Sequence, residues 1–334
     1  MRNFMSGTST KQQRQHQQHE LEEQPSEAPV GKAAADVNDV SVCTPPVEYG
    51  HSEEYDQARL RRQLTLSFAG GNGASNTWNI SEESGFSVRS KHYMSTKQKC
   101  QSHLPPYSPF QVELFSCSRK RDHIARFLDL PSGSGKLGNL EGRLPRFIVV
   151  NLQGPLYPPT IFSRTTDGVG LISPMVFEYN GRHIDEEALA MTEGVMKDSP
   201  APSGGMCRDR FKMIANVRNA NYLMQNKLIG RAESSLLSSY NAKPVMTKPC
   251  HRFYAGENYF EIDFDVHEFS YMPRSVWQNA TSTGQIKNVV ADIGFLVQGN
   301  SLQELPEQML GCVQYSKVDL KKQWRNPPGF PEEK

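Results

Sequence analysis

Asn258-Tyr259-Phe260-Glu261-Ile262-Asp263-Phe264-Asp265 is the stretch on which the fold reading turns. Apolar and acidic residues alternate with period two, so one face of a β-strand carries Phe260, Ile262 and Phe264 and the other Glu261, Asp263 and Asp265. Immediately before it, Ala255-Gly256-Glu257-Asn258 is a short glycine-containing loop, preceded by a strand pattern over residues 245–253. The two runs predict a hairpin.

Downstream of the hairpin, residues 270–281 suit a helix, with Pro273 tolerated in its first turn. Residues 286–297 are an apolar strand. Ser301 and Glu304 have the spacing of a capping box and predict a short helix over residues 302–310. Residues 312–318 form a closing strand. Upstream, residues 86–90 and 110–115 alternate as half-buried strands do. Residues 121–128 suit a short helix, and residues 146–153 are apolar at consecutive positions, as in a strand buried on both faces. Residues 174–179 form another strand, turning at Asn180-Gly181. Residues 192–209, punctuated by Pro200, Pro202, Gly204 and Gly205, read as a surface loop before a strand from residue 209. This order predicts an α+β fold: an antiparallel or mixed β-sheet with helices packed on one face.

The rest of the chain differs in composition. Residues 1–52 carry Gln12, Gln13, Gln15, Gln17, Gln18 and Gln24 with few large apolar side chains, and read as a disordered Gln/Glu/Pro-rich tail. In residues 53–77, Leu60, Leu64 and Phe68 fall at i, i+4, i+8 among Arg59, Arg61 and Arg62. This predicts a basic amphipathic helix followed by a glycine-rich linker. Residues 78–320 are the expected domain and residues 321–334 a flexible tail.

Composition narrows the function classes. Lys+Arg is 37 and Asp+Glu 36, a balance that argues against nucleic acid as a partner. No apolar run approaches the ~18 residues that cross a bilayer, and no secretory signal is visible. The six cysteines form no Cys-x-x-Cys pair, as expected of free thiols in an intracellular, cytoplasmic protein. Ser132-Gly133-Ser134-Gly135-Lys136 is not a phosphate loop: the required first glycine falls on Leu130, and no Ser or Thr follows Lys136. Neither a His-Glu-x-x-His pair nor a Gly-x-Ser-x-Gly elbow is present, so the sequence offers no recognisable catalytic centre and implies no cofactor.

Five residues stand out as candidate ligand contacts. Glu261, Asp263 and Asp265 lie ~7 Å apart along one strand face. Such a row can serve as paired carboxylates or hold a hard cation, or it can simply face water or Arg and Lys partners. Arg210 and Lys212 share a face of the next strand pattern, with Phe211 and Met213 opposite. Two cations on a face can meet lipid phosphate, or neutralise the carboxylates of residues 261–265.

Several blocks in order resemble the C-terminal domain of plant Enhanced Disease Resistance 2. They are Phe86-Ser87-Val88-Arg89, residues 144–153, Arg210-Phe211-Lys212-Met213-Ile214-Ala215-Asn216, residues 255–265, residues 290–299 and residues 304–311. The resemblance covers residues 78–320. Larger members of that family join this domain to a pleckstrin-homology domain and a steroidogenic-acute-regulatory-related lipid-transfer domain, and are linked to membranes, phosphoinositides and control of plant cell death. The resemblance thus implies a non-enzymatic lipid-binding or peripheral membrane-associated regulatory module, here as a stand-alone domain. On that reading an apolar sheet face would line a lipid cavity, with Arg210 and Lys212 near the headgroup. The alternative is a protein-interaction module controlled through its N-terminal arm, with a protein partner. One departure is local: where the family has a Gly-Ser-Ser-like turn after the acidic strand, this chain has His267-Glu268-Phe269-Ser270.

Overall fold

The computed structural model describes residues 67–68, 75–81, 85–128, 130–131, 142–160, 167–246 and 250–320. The expected tails, the phosphate-loop-like segment and most of the basic helix lie outside the described residues. The last two residues of that predicted helix are described and are extended: Ser67–Phe68 is strand β1, paired parallel with β2, Thr77–Ile80.

The remaining strands, in chain order, are β3 (Ser87–Arg89), β4 (Lys99–Gln101), β5 (Tyr107–Val112), β6 (Phe115–Cys117), β7 (Phe147–Pro155), β8 (Gly170–Tyr179), β9 (Phe211–Val217), β10 (Pro244–Met246), β11 (His251–Ala255), β12 (Tyr259–Asp265), β13 (Val290–Val297) and β14 (Gly311–Ser316). Among the described residues, twelve strands join one mixed sheet: nine follow the path β10-β9-β13-β14-β5-β8-β7-β12-β11, and off it β2 pairs with β14, β1 with β2 and β6 with β8. In it β12 runs parallel to β7 and β14 parallel to β5, while β8 is antiparallel to β7 and β5. The helices are few: α1 (Tyr93–Thr96), α2 (Glu186–Met196), α3 (Ala220–Gln225), α4 (Arg231–Tyr240) and α5 (Tyr271–Ser282). The mixed sheet with accompanying helices agrees with the sequence reading.

The 258–265 stretch forms β12, and its hairpin with β11 pairs Ala255 with Phe260 through to His251 with Phe264. β7 is buried along nearly its whole length, as its unbroken apolar run requires, because β8 and β12 flank it and both its faces are covered. Phe260, Ile262 and Phe264 enter the main core beside their register partners Ile148 and Val150.

Five local expectations need correction. Residues 110–115 are split between β5 and β6, with Glu113 and Leu114 between them. Residues 245–253 belong to two strands with different partners, β10 on β9 and β11 on β12. The 192–209 loop begins inside α2. Ala188, Leu189, Met191 and Val195 of that helix are buried, and Gly194 is its close-approach point, since a Cβ there would overlap the Sγ of Cys207. Residues 121–128 contain only a single 3-10 turn, Ile124–Phe127. The capping box at 301–304 opens no α-helix. A 3-10 turn spans Leu302–Glu304, Ser301 makes no side-chain cap, and Leu305 is extended, as a residue preceding proline prefers.

Candidate functional site

The acidic face of β12 is neither water-facing nor a row of free carboxylates. Glu261, Asp263 and Asp265 are all 0% exposed. Their register partners on β7 are Val149, Asn151 and Gln153, so two parallel strands present one polar, buried patch. The segment 119–127 lies over it. Five of its backbone amides are taken by side-chain oxygens. The N–H of Lys120 donates to Asp167 Oδ1 (3.0 Å), that of Arg121 to Gln153 Oε1 (2.6 Å) and that of His123 to Asp263 Oδ2 (2.9 Å). The N–H groups of Ile124 and Ala125 donate to the two oxygens of Glu261, at 2.7 and 3.0 Å. Asn151 Nδ2 bridges the Arg121 carbonyl (2.9 Å) and Asp263 Oδ1 (2.8 Å), and Gln153 Nε2 donates to Asp122 Oδ1 at 3.0 Å. Beyond these polar contacts, Ala125 and Leu128 pack on Phe147, Val149 and Val176. The segment is thus fastened by polar groups at one end and by apolar burial at the other.

The electrostatics follow from this burial. Desolvation pushes Glu261 up to about 7, against the hydrogen bonds it accepts. Asp263 is pushed well above the carboxylate range by burial and then by the charge of Glu261, to which it is hydrogen-bonded. The pair therefore keeps one carboxyl protonated at neutral pH, as two close buried acids must. Asp265 behaves differently. Burial opposes its ionisation, but the hydrogen bond and charge of His267 and the charge of Lys120 outweigh it and hold the carboxyl below its usual range. His267 donates through its backbone N–H (2.9 Å) and contacts Asp265 Oδ1 through Nδ1 (2.7 Å); Lys120 Nζ lies 3.0 Å from Oδ2. The His267 turn is thus a buried partner of the acidic strand. His123, stacked on Tyr254 with ring centroids 4.4 Å apart, is pushed down to about 4 by burial and by Arg126, so it is neutral beside Glu261. Among the described residues no group of three or more His, Cys, Asp and Glu is placed to hold a metal ion.

Arg210 and Lys212 do not neutralise this face. Lys212 lies on β9, whereas Arg210 ends the 3-10 turn Arg208–Arg210 just before it, and β9 is separated from β12 by β13, β14, β5, β8 and β7. Both cations are buried and bind the loop leading into β14: Arg210 Nη1 meets Glu304 Oε2 at 2.7 Å, and Lys212 Nζ meets Glu307 Oε1 at 2.9 Å. Glu304 also accepts from Ser203 and from the Asn300 N–H, and Glu307 from the amides of Arg89 and Gly299. A void lined by Tyr107, Ile148, Val150, Phe177, Phe211 and Phe295 measures about 10 Å³, room for about one water. The sequence-predicted site residues therefore divide into two structural clusters.

The sequence reading missed the segment that the carboxylates hold. It carries Arg119, Lys120, Arg121 and Arg126 within eight residues. Arg119 and Arg126 are exposed; Arg119 Nε is 2.8 Å from Asp167 Oδ2 and Arg126 lies over the Phe127 ring. The cluster of basic residues was a visible signal; its fastening to β12 was not.

Residues 78–319 match the family model described as "Protein ENHANCED DISEASE RESISTANCE 2, C-terminal". A relative from Arabidopsis thaliana, "Protein ENHANCED DISEASE RESISTANCE 2-like", is 23% identical over 247 residues, which are 74% of this chain and 29% of the relative. The chain thus spans less than a third of that relative's length. No solved structure matches. Among the described residues no helix is long and apolar enough to cross a membrane.

Proposed function

The chain belongs to the Enhanced Disease Resistance 2 C-terminal domain family, and on that premise we propose that it is a non-enzymatic regulatory module that binds anionic lipid headgroups at the membrane surface. The observation that carries this reading is the fastened segment 119–127. Buried carboxylates and amides of β7 and β12 capture its backbone. Arg119, paired at Nε with Asp167, and Arg126, lying over the Phe127 ring, are exposed on this fastened backbone and so are held in a fixed arrangement at the surface. Preorganised cations lose little entropy on meeting phosphate, and each contributes about 1 kcal/mol near an anionic surface. The membrane context implied by the family resemblance supports the same reading. The headgroup is engaged from outside, since Arg210 and Lys212 are committed to glutamates.

Vesicle flotation tests it. The protein is expected to float with phosphatidylcholine vesicles that contain phosphatidylinositol phosphates, to stay in solution with phosphatidylcholine alone, and to be released by salt. The R119E/R126E variant is expected to remain in solution throughout. Wild-type protein that stays in solution with every vesicle composition contradicts the proposal.

A further inference from the structure

We infer that Phe110 is an apolar anchor that enters the interfacial layer of an anionic membrane beside segment 119–127. This deepens the headgroup reading and rests on it. β5 lies between β14 and β8 in the sheet, yet Phe110 on it is 41% exposed. The cause is local. The β5–β8 ladder pairs Pro109 with Phe177 and then Gln111 with Val176, so Phe110 is an extra residue at a β-bulge. Pro109 has no N–H to give the ladder, which favours a bulge at this point. The bulge frees Phe110 from pairing. Its ring lies against that of Phe147, with centroids 5.6 Å apart and planes tilted by 55°. Phe147 is fully buried and is a residue on which Ala125 and Leu128 pack. Phe147 and Val149 alternate with the core residues of β7, and Val149 is the register partner of Glu261. Phe110 therefore stands next to the apolar end of the fastened segment, on the side of the sheet that carries the acidic face of β12.

The surroundings of the ring select its partner. Arg126, next in sequence to Ala125, is exposed over the Phe127 ring. Arg146 lies over the Phe147 ring, 4.9 Å from its centroid, and is ion-paired at 2.7 Å with Glu178, the register partner of Phe147. The carboxylate nearest Phe147 on β8 is thereby neutralised. An apolar ring beside cations suits a membrane interface, where the ring leaves water while the cations stay with the phosphates. A protein partner demands more area. A stable protein interface covers ~800 Å² on each side, whereas one aromatic side chain offers at most ~150–250 Å². A bilayer sets no such minimum, because a single buried ring adds its transfer free energy to the attraction supplied by Arg119 and Arg126. The two contributions differ in signature: salt screens the share of the cations and leaves that of the ring.

The full chain would be mixed with phosphatidylcholine vesicles containing a phosphatidylinositol phosphate, with and without lipids brominated along their acyl chains. F110W carries the reporter ring, and wild type, with its own three tryptophans, sets the background. F110W should float like wild type, and the emission it adds should shift to the blue and be quenched by the brominated lipids. F110S should partition about tenfold more weakly than wild type, the loss expected for a partly buried phenyl ring. Its residual binding should still be released by salt. F110W bound to vesicles but unquenched above the wild-type background overturns the assignment and leaves the headgroup reading standing. F110S floating like wild type does the same. If F110S melts below wild type because Phe147 loses its cover, the quenching of F110W decides alone. Wild type that fails to bind the vesicles contradicts the headgroup reading and this inference with it. A wild-type dimer in solution that F110S dissociates assigns the ring to a second copy of the chain and overturns the lipid assignment as well.

Discussion

Glu261 and Asp263 stand two residues apart on one buried face of β12, and their carboxyl groups hydrogen-bond to each other while the amides of residues 123–125 close over them. A shared proton inside a backbone clamp gives this part of the fold a definite pH behaviour.

Both acids are pushed up by burial, Glu261 to about 7. Glu113, 2% exposed between β5 and β6, is also pushed up to about 7 by burial, with Gln111 opposing. A carboxyl raised in the fold binds its proton more tightly than in the unfolded chain. Its contribution to stability is complete below the unfolded value of ~4 and is lost as pH rises through the folded value, at about 1.4 kcal/mol per pH unit for each excess proton. Asp265, held below its usual range, acts oppositely and loses its contribution only at more acid pH. Stability should therefore fall from about pH 5 to about pH 7. D263N and E113Q should each make that fall shallower, and Tm measured across this range in matched buffers checks it.

The two buried cation–carboxylate pairs should respond unequally to removal of either partner. Glu307 meets Lys212 and accepts from the amides of Arg89 and Gly299, so E307L strands several donors. Lys212 leaves behind a glutamate that still has both amides and Arg89, 3.7 Å away. E307L should cost about 3–5 kcal/mol, K212M less, and the double variant less than the sum of the two. Urea unfolding of the three variants measures this.

Gly154 is the packing hinge between β7 and α5. G154A places a methyl inside the Trp277 ring, and the resulting overpacking should cost about 1–3 kcal/mol. Combining G154A with W277L should recover part of that loss. Additive losses in thermal or urea unfolding would mean that the ring is not what Gly154 accommodates.

The alternation at residues 259–265 and the apolar run at 147–153 were legible because strand side chains have a period of two and a strand buried on both faces tolerates few polar residues. What covers the acidic face was not legible, since the covering donors are backbone amides of residues 121 and 123–125, which leave no mark in composition. A buried row of carboxylates and a solvated one share one sequence pattern. The partners of Arg210 and Lys212 depend on sheet order, which places five strands between β9 and β12. The capping box at Ser301 misled because it scores local geometry, while Glu304 is drawn to Arg210 and Ser203 and Pro306 holds Leu305 extended.

Amide hydrogen exchange on E261A tests most directly the claim that the acidic strand works as a clamp on a cationic segment. Losing the carboxylate removes the acceptor of the Ile124 and Ala125 amides, and each orphaned buried N–H costs about 1–3 kcal/mol. Exchange at these two amides should accelerate at least about tenfold, while Val149 and Val176 in the central strands keep wild-type protection. Unchanged protection at Ile124 and Ala125, or an equal loss across the whole sheet, would contradict the clamp.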